Sequence, residues 1–234
     1  MYLERLRTGD LPLPGRCVAV MAVGTIEAHG RHLALGTDNI IPAHIIARLE
    51  ETHGSDIVVC PPVSYGHTYF LEDWPGSLNV PSATLEAYLL AVCEGLVHMG
   101  ITRFLFVNGH GGNTRTVQEV CERLSYLGAT SVCFSWWEDL ERDIAALAPA
   151  TGHAGEDETS LVLASGDGLA DMSAATEGPD WPGPSHPLSL DSRKRWFPDA
   201  MTGDARQATA QKGNEIYAVI HRHTVALLAV LRGG

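Results

Sequence analysis

The sequence predicts an α/β fold in which helices cover a mostly parallel sheet. Apolar strand-like segments and amphipathic helix-like segments alternate four times along the chain, which is the signature of βαβ units. Glutamate and histidine residues follow directly after strand-like segments, where open α/β sheets form their sites. A chain of 234 residues with 45% hydrophobic content can bury one large core, so we expect a single domain over residues 1–234.

Short apolar segments predict the strands. Each is bounded by glycine, proline or polar residues, and a continuous run such as CVAVMAV is typical of a strand buried on both faces. The predicted strands cover residues 17–23, 57–62, 103–107 and 131–136.

Apolar residues repeated at helical spacing predict the helices. Ser82 and Asn113 are expected to cap two of them, and Gly100 and Gly128 to end the same two. The predicted helices cover residues 39–51, 82–100, 113–128, 157–164 and 208–231.

Two segments carry no such periodicity. The loop SYGHTYFLEDWPGSLNVP is long and aromatic, and loops of this length inside a domain are usually functional. The second segment, about 167–207, contains DWPGPSHP and is expected to be irregular. We expect it to form a lid, a contact with another subunit or a mobile arm.

Charge and composition exclude several classes of protein. The formal net charge of −12, with no basic cluster longer than RKR, argues against a nucleic-acid partner. The absence of an apolar run near 18 residues argues against a membrane span. The N-terminal segment lacks the apolar stretch of a signal peptide, so we expect a cytoplasmic protein.

The five scattered cysteines form no CxxC pair, which predicts free thiols rather than disulfides or a cysteine zinc site.

The segment VGTIEAHGRHLALGTD concentrates possible metal ligands after the first strand. Glu27 and His29 are two residues apart and point to the same side of extended backbone, and Asp38 can return from the following turn. His110, in NGHGGN, follows the third strand. This set of oxygen and nitrogen donors suits Zn²⁺, Mn²⁺ or Fe²⁺, and Asp38 is the natural bridge if two ions bind.

The segment GHAGEDETS is a second candidate. His153 and Glu158 offer a general acid or base and a further metal ligand. Glu156 and Asp157 belong to the same acidic cluster, with complementing a helix dipole as the alternative role. His32 fits either a supporting or a structural role. The remaining histidines with no partner in reach by spacing are expected to lie outside the site; they are His44, His53, His98, His186, His221 and His223.

Aromatic and basic residues near the strand ends are candidates for substrate contact. Trp136 and Trp137 follow the fourth strand, and Tyr65 and Trp74 lie in the long loop, with core packing as the alternative role. Arg31 is a candidate for binding a substrate carboxylate or phosphate, with a surface ion pair as the alternative role. NGHGGN lacks the spacing of a dinucleotide-binding loop and the lysine of a P-loop, and Ser160 lacks a nucleophile-elbow context.

The motifs EAHGRHLALGTD, NGHGGN and HAGEDETS, in this order, resemble the creatininase (creatinine amidohydrolase) family. The similarity extends to SYGHTYFLEDWPGSLNV and GDARQATAQKG and covers residues 20–231 except 167–201. The resemblance implies a three-layer α/β/α sandwich, two divalent cations per chain, hydrolysis of C–N bonds and assembly into homohexamers. Zn²⁺ is the expected ion, with Mn²⁺ and Fe²⁺ as alternatives.

The resemblance also implies roles for individual residues. The matching metal ligands are Glu27, His29, Asp38 and His110, with Asp38 bridging, and His153 matches the residue that transfers protons. Glu158 matches a position that is a ligand or an acid/base group, depending on the member. Creatininase itself has a glutamate ligand where this chain has Gly112, so Glu158 is expected to complete the second metal site. Arg31 and Ala34 replace common prolines.

These features lead to one main hypothesis. We expect a metal-dependent hydrolase that cleaves an amide, cyclic amide or formamide C–N bond in a small polar molecule through metal-activated water. The family also contains a formylaminopyrimidine nucleotide deformylase, a peptidase that trims a cofactor-precursor peptide and a ring-opening C–C hydrolase of a keto-inositol. A metal-binding scaffold without turnover and a nucleotide-binding module are alternatives from other classes.

Overall fold

The structure, a computed structural model, describes residues 1–11, 13, 15–166, 168–181 and 189–233. Its centre is a parallel sheet with the strand order β2-β1-β3-β4. The strands are β1 Val18–Val23, β2 Ile57–Val59, β3 Arg103–Asn108 and β4 Thr130–Ser135. The four predicted strands are confirmed. The second ends before Pro61 and Pro62, because proline cannot donate to the ladder.

The register aligns the carboxyl ends of three strands. Val23 of β1 lies opposite Asn108 of β3, and Asn108 lies opposite Ser135 of β4. The residues that follow these strands therefore emerge at one edge of the sheet.

The helices largely match those predicted from spacing. Their bounds are α1 Thr37–His53, α2 Ser82–His98, α3 Thr114–Tyr126, α4 Trp136–Asp139, α5 Glu141–Leu147, α6 Glu156–Ser165, α7 Leu190–Trp196 and α8 Ala210–Leu231. The short helices α4, α5 and α7 were not predicted, because they are too short to show a period of 3.6 residues.

Both predicted capping residues are wrong. Ser82 is already helical, Pro81 precedes α2, and no side chain caps that helix. Asn113 precedes α3, but its side chain does not bond to the helix. Instead it accepts the His67 N–H at 2.8 Å and donates to the Gly24 carbonyl at 3.1 Å. The side chain makes these long-range hydrogen bonds instead of a bond to the helix N-terminus, because it is buried between two loops.

Helices cover both faces of the sheet, which confirms the α/β/α sandwich. Val18, Val20 and Ala22 of β1 pack in one core cluster with residues of α1, α6 and α8. The alternate β1 residues pack in a second cluster with α2 and α3. The period of two along the strand therefore divides the apolar side chains between two layers.

The strand order creates a crevice between β1 and β3. The chain leaves β1 through α1 on one face and reaches β3 through α2 on the opposite face. Adjacent strands whose connections run on opposite faces form a topological switch point, where α/β sheets place their ligand sites.

The segment 167–207 is less irregular than predicted. Its described part contains α7 and single helical turns at Met172–Ala174, Pro198–Ala200 and Ala205–Gln207. Ser189 and Ser192 form a capping box for α7, and buried Arg193 pairs with Glu72 and Asp73. Residues 182–188, with His186, lie outside the described residues. A lid or a subunit contact stays a prediction.

Two expectations from composition concern membrane-spanning helices and the state of the cysteines. In the described ranges, no helix combines the length and the apolar character needed to cross a membrane. The five cysteines are free thiols. Burial raises the pKa of the Cys60 thiol to about 12, which is typical of a structural rather than a reactive cysteine.

The α6–α8 contact provides a test of the packing. A Cβ added at buried Gly213 would collide with the Ser160 carbonyl, whereas a Cβ at exposed Gly95 of α2 would meet open space. We predict that Gly213→Ala lowers the free energy of unfolding by about 1–3 kcal/mol through overpacking. The matched change Gly95→Ala is expected to raise it by about 0.5–1 kcal/mol, because alanine favours helix. Urea denaturation measures both, and equal effects would contradict the close packing.

Candidate functional site

The predicted ligands meet at the crevice between β1 and β3. Glu27 and His29 lie on the loop after β1, Asp38 is the second residue of α1, and His110 follows β3 by two residues. Glu27, His29 and Asp38 are at most 2% exposed. The structure therefore brings together side chains from three separate elements.

Asp38 lies between two imidazole rings. Its Oδ1 is 2.9 Å from His29 Nε2, and its Oδ2 is 3.1 Å from His110 Nδ1. Glu27 Oε1 lies 3.2 Å from the same His110 nitrogen, and Glu158 Oε2 lies 3.8 Å from His29 Nε2. These contacts define two donor sets that share Asp38: Glu27, Asp38 and His110, and His29, Asp38 and Glu158.

His153 approaches the same cluster from the turn before α6. Its Nδ1 is 3.7 Å from Glu27 Oε1, and its ring centroid is 4.2 Å from that of His29. Glu27, His29 and His153 form a third group close enough to hold an ion. His153 is thus placed either to bind a cation or to transfer a proton beside one.

A backbone carbonyl orients each of the three rings. His29 Nδ1 lies 3.1 Å from the Glu27 carbonyl, and His153 Nε2 lies 2.9 Å from that of Ala28. His110 Nε2 lies 2.9 Å from the His67 carbonyl. Because a carbonyl only accepts, the hydrogen lies on these outer nitrogens and the other nitrogen of each ring faces the carboxylates. Histidines that bind metals in proteins are oriented in this way.

Several carboxylate oxygens in the cluster lack a hydrogen bond. Among the described residues, neither oxygen of Glu27 nor Asp38 Oδ2 has a partner at good hydrogen-bond geometry, although all three atoms are buried. Leaving buried charged oxygens without donors is costly. The oxygens and the inward-facing ring nitrogens match the donors preferred by Zn²⁺ and Mn²⁺, so the residues fit a divalent cation.

The charges in the cluster shift the pKa values of its members strongly. Burial lowers the pKa of His29, but the nearby Asp38, Glu158 and Glu27 outweigh this effect and raise it to about 10. Burial is likewise outweighed at His110, where Glu27 and Asp38 raise the pKa well above its usual value. The two rings in turn hold the pKa of Asp38 well below its usual range, against the effect of burial. Without a cation, protons on these rings balance the carboxylates.

Near α6 the pKa shifts are reversed: the carboxyl of Glu158 has a raised pKa and the imidazole of His153 a lowered one. Burial raises the pKa of Glu158 to about 8, although the charge of His29 partly offsets it. Burial and the nearby His29 lower the pKa of His153 to about 4, so this ring is neutral at pH 7. Burial and the charge of His29 also lower the pKa of His32.

Three consecutive carboxylates fix the turn that carries His153. Glu156 Oε2 accepts the Ala150 N–H at 3.0 Å, Asp157 Oδ1 accepts the Gly152 N–H at 3.2 Å, and Glu158 Oε2 accepts the Ala154 N–H at 2.6 Å. Lys212 of α8 pairs with Glu156. Besides lying at a helix N-terminus, Glu156 and Asp157 therefore hold the turn in shape.

Two glycines of NGHGGN allow close approach of backbone. A Cβ at Gly109 would collide with the Asp38 carbonyl, so glycine lets the start of α1 reach β3. A Cβ at Gly112 would collide with the His67 carbonyl. This position has no room for a side chain, whereas Glu158 of α6 places a carboxylate oxygen 3.8 Å from His29 Nε2.

The candidate substrate residues occupy different environments. Trp136 is 1% exposed, packs in the core with α1, α6 and α8, and contacts half-buried Trp137 edge to face at 5.2 Å. Arg31 is exposed and pairs with Asp199 at 2.9 Å. In this structure Trp136 packs in the core and Arg31 forms a surface ion pair, and substrate contact by either residue stays a prediction.

The long loop contributes the other two candidates. Tyr65 is exposed, and Trp74 packs against a small cluster that includes Phe197. Substrate contact by Tyr65, Trp74 and Trp137 stays a prediction.

Sequence reasoning missed residues that surround His153. Thr202 Oγ1 accepts the His153 N–H at 2.9 Å, and the Phe197 ring lies edge-on to the imidazole at 5.8 Å. Both come from the segment predicted to be irregular. The only signal was the position of Thr202 directly before the GDARQ motif.

Of the histidines expected to lie outside the site, the structure describes all but His186. None of the following joins a group of metal-capable side chains: His44, His53, His98, His221 and His223.

Curated relatives of the chain are hydrolases. A mycofactocin precursor peptide peptidase from Mycolicibacterium smegmatis is 33% identical over 150 residues, covering 62% of this chain and 57% of that protein. The chain thus aligns with little more than half the length of this relative. A creatinine amidohydrolase from Pseudomonas putida is 26% identical over 240 aligned residues, covering 93% of this chain and 88% of that protein.

Solved structures share the fold. A mutant creatininase complexed with creatine matches with a TM-score of 0.86 at 22% identity, covering 100% of this chain and 99% of that one. A manganese form of creatininase matches with a TM-score of 0.84 at 23% identity, covering 97% of each chain. The family model described as creatininase, creatinine amidohydrolase, matches residues 8–228. The chain therefore belongs to the creatininase family.

Proposed function

We propose that this chain is a metal-dependent hydrolase that cleaves a C–N bond of the amide, cyclic amide or formamide type in a small polar substrate. The observation that carries the proposal is the position of Asp38, whose two oxygens face His29 and His110 while Glu27 and Glu158 complete two donor sets. We further propose that residues 1–234 act as one domain, that the chain is cytoplasmic and that it assembles into homohexamers, as the family resemblance implies.

The proposed cofactor is a pair of divalent cations. Glu27, Asp38 and His110 would hold one, and His29, Asp38 and Glu158 the other. Zn²⁺ is our first choice, with Mn²⁺ and Fe²⁺ as alternatives, and related structures include Zn-Zn and Mn forms of creatininase. Bound cations of this kind lower the pKa of water toward neutrality and polarise a carbonyl oxygen.

His153 is the proposed proton carrier. Its Nε2 donates to the Ala28 carbonyl, which leaves Nδ1 unprotonated and directed toward Glu27. His153 Nδ1 can accept the proton that the attacking water loses and pass it to the leaving nitrogen of the substrate, so one ring acts first as base and then as acid. The Thr202 hydroxyl holds the backbone of His153, and the Phe197 ring packs against the imidazole.

A second candidate is a peptidase acting on a short peptide. The 33% identity to a precursor peptide peptidase favours it, and a peptide amide is also a C–N bond. Ring opening of a keto-inositol has weaker support, since the 3-dehydro-scyllo-inosose hydrolase of Thermotoga maritima aligns with only 46% of this chain. A panel of cyclic amides, formamides, short peptides and cyclic diketones separates these reactions.

The metal assignment predicts the effect of removing His110. His110→Ala should lower the bound Zn²⁺ from about two ions per chain to one or none, because a nitrogen donor is lost beside two carboxylates. Turnover on the best substrate of the panel should fall by more than the roughly 10- to 100-fold typical of losing an outer hydrogen-bond partner.

The exposed residue His98 provides the matched control. His98→Ala should retain both ions and full turnover, and elemental analysis of protein purified without chelators measures the metal. Full metal content and turnover in His110→Ala would refute the assignment.

The pKa shifts predict a pH dependence of metal binding. His29, with a pKa of about 10, and His110 carry protons at neutral pH, and Glu158 carries one below about pH 8. A cation must displace these protons, so Zn²⁺ affinity should rise from pH 6 toward about pH 9. Calorimetry in two buffers of different ionisation enthalpy measures the protons released. Affinity that falls or stays constant over this range would count against the proposed ligands.

His153 should be separable from the metal ligands. His153→Ala is expected to lower turnover by roughly 100- to 10,000-fold through loss of proton transfer, while both ions remain bound. Metal analysis and turnover are measured on the same preparation. Loss of an ion in this variant would show that His153 is itself a ligand.

A further inference from the structure

We propose that His32 is a positioning residue that sets the place of Glu158 relative to His29 and Asp38. This inference rests on the proposed function, because it concerns the second of the two donor sets. His32 is 2% exposed and lies on the same loop as Glu27 and His29, but it belongs to none of the three metal-capable groups.

A chain of hydrogen bonds leads from His32 to Glu158. His32 Nε2 lies 2.9 Å from Thr159 Oγ1, and this hydroxyl donates to the Ala154 carbonyl at 3.3 Å. Because the hydroxyl hydrogen is used by the carbonyl, the hydrogen between ring and hydroxyl comes from His32 Nε2. The Ala154 N–H then donates to Glu158 Oε2 at 2.6 Å.

The backbone at Ala154 needs such support. Its φ of 56° lies in the left-handed region, which a residue with a Cβ rarely adopts, and the residue is fully buried. Conformations of this kind persist only where the surroundings hold them. Thr159 fixes the carbonyl of Ala154, while Glu158 accepts its N–H, so the backbone of this one residue connects Thr159 to the carboxylate.

The contact joins two parts of the fold. Glu27 and His29 come from the loop after β1, whereas Glu158 comes from the first turn of α6. The side chain of His32 bridges these two elements at their buried boundary. Its loss should therefore displace Glu158 from the His29 and Asp38 set and leave the set of Glu27, Asp38 and His110 in place.

Two pairs of variants test the hydrogen bond. In His32→Gln the amide nitrogen can take the place of Nε2, whereas in His32→Asn the amide is too short to reach Thr159. Thr159→Ser keeps the hydroxyl, and Thr159→Val removes it with little change in shape. The second pair leaves the ring untouched, so the test holds even if the His32 variants do not fold.

The readouts are Zn²⁺ ions per chain, the affinity for each ion and the thermal midpoint. His32→Asn and Thr159→Val should lower the affinity for one of the two ions by roughly 10- to 100-fold, which is typical when a residue that supports a metal ligand is lost. The affinity for the other ion should not change. His32→Gln and Thr159→Ser should retain both ions. The double variant His32→Asn with Thr159→Val should bind no more weakly than either single variant.

The outcomes separate the inference from the proposed function. If all variants bind two ions with wild-type affinity and only the thermal midpoint falls, His32 merely fills space and the inference is wrong. If both ions weaken equally, the effect is general and the inference is also wrong. A wild-type chain that binds no ion would overturn the proposed function, and this inference with it.

Discussion

The sharing of one buried carboxylate between two histidines is the interaction on which the site depends. Asp38 places one oxygen against His29 and the other against His110, with almost no exposure to solvent. Charged groups can be buried in this way only if each finds an opposite charge close by. The loop after β1, the start of α1 and the end of β3 must therefore meet within a few ångströms, which restricts how the crevice can be built.

The parallel sheet meets this requirement through its strand order. Because the chain leaves β1 and enters β3 on opposite faces, the crevice between them is open to the N-terminus of α1. Gly109 lets the Asp38 backbone lie against the end of β3. Backbone carbonyls then orient the rings, so the geometry of the site depends on main-chain positions.

The sequence predicted those parts of the structure that depend on local pattern. The strands, the long helices and the convergence of Glu27, His29, Asp38 and His110 follow from periodicity and from placement after strands. The parts that depend on long-range contacts were not predictable. The Asn113 side chain was expected to cap a helix but bonds to two loops, and buried Arg193 holds α7 through acidic residues far away in sequence. The helix and turn propensities of neighbouring residues carry no information about such distant partners.

The origin of the last carboxylate links the proposed metal site to the proposed proton carrier. Gly112 has no room for a side chain, and the candidate donor beside His29 is Glu158 of α6 rather than a residue of the loop after β3. Glu158 and the proposed proton carrier His153 share one turn, which is held by Glu156 and Asp157 and, through Lys212, by α8. A change that moves this turn to fit another substrate also moves a candidate ligand. Under the proposed assignment, the second cation site and the position of the proton carrier therefore cannot vary independently.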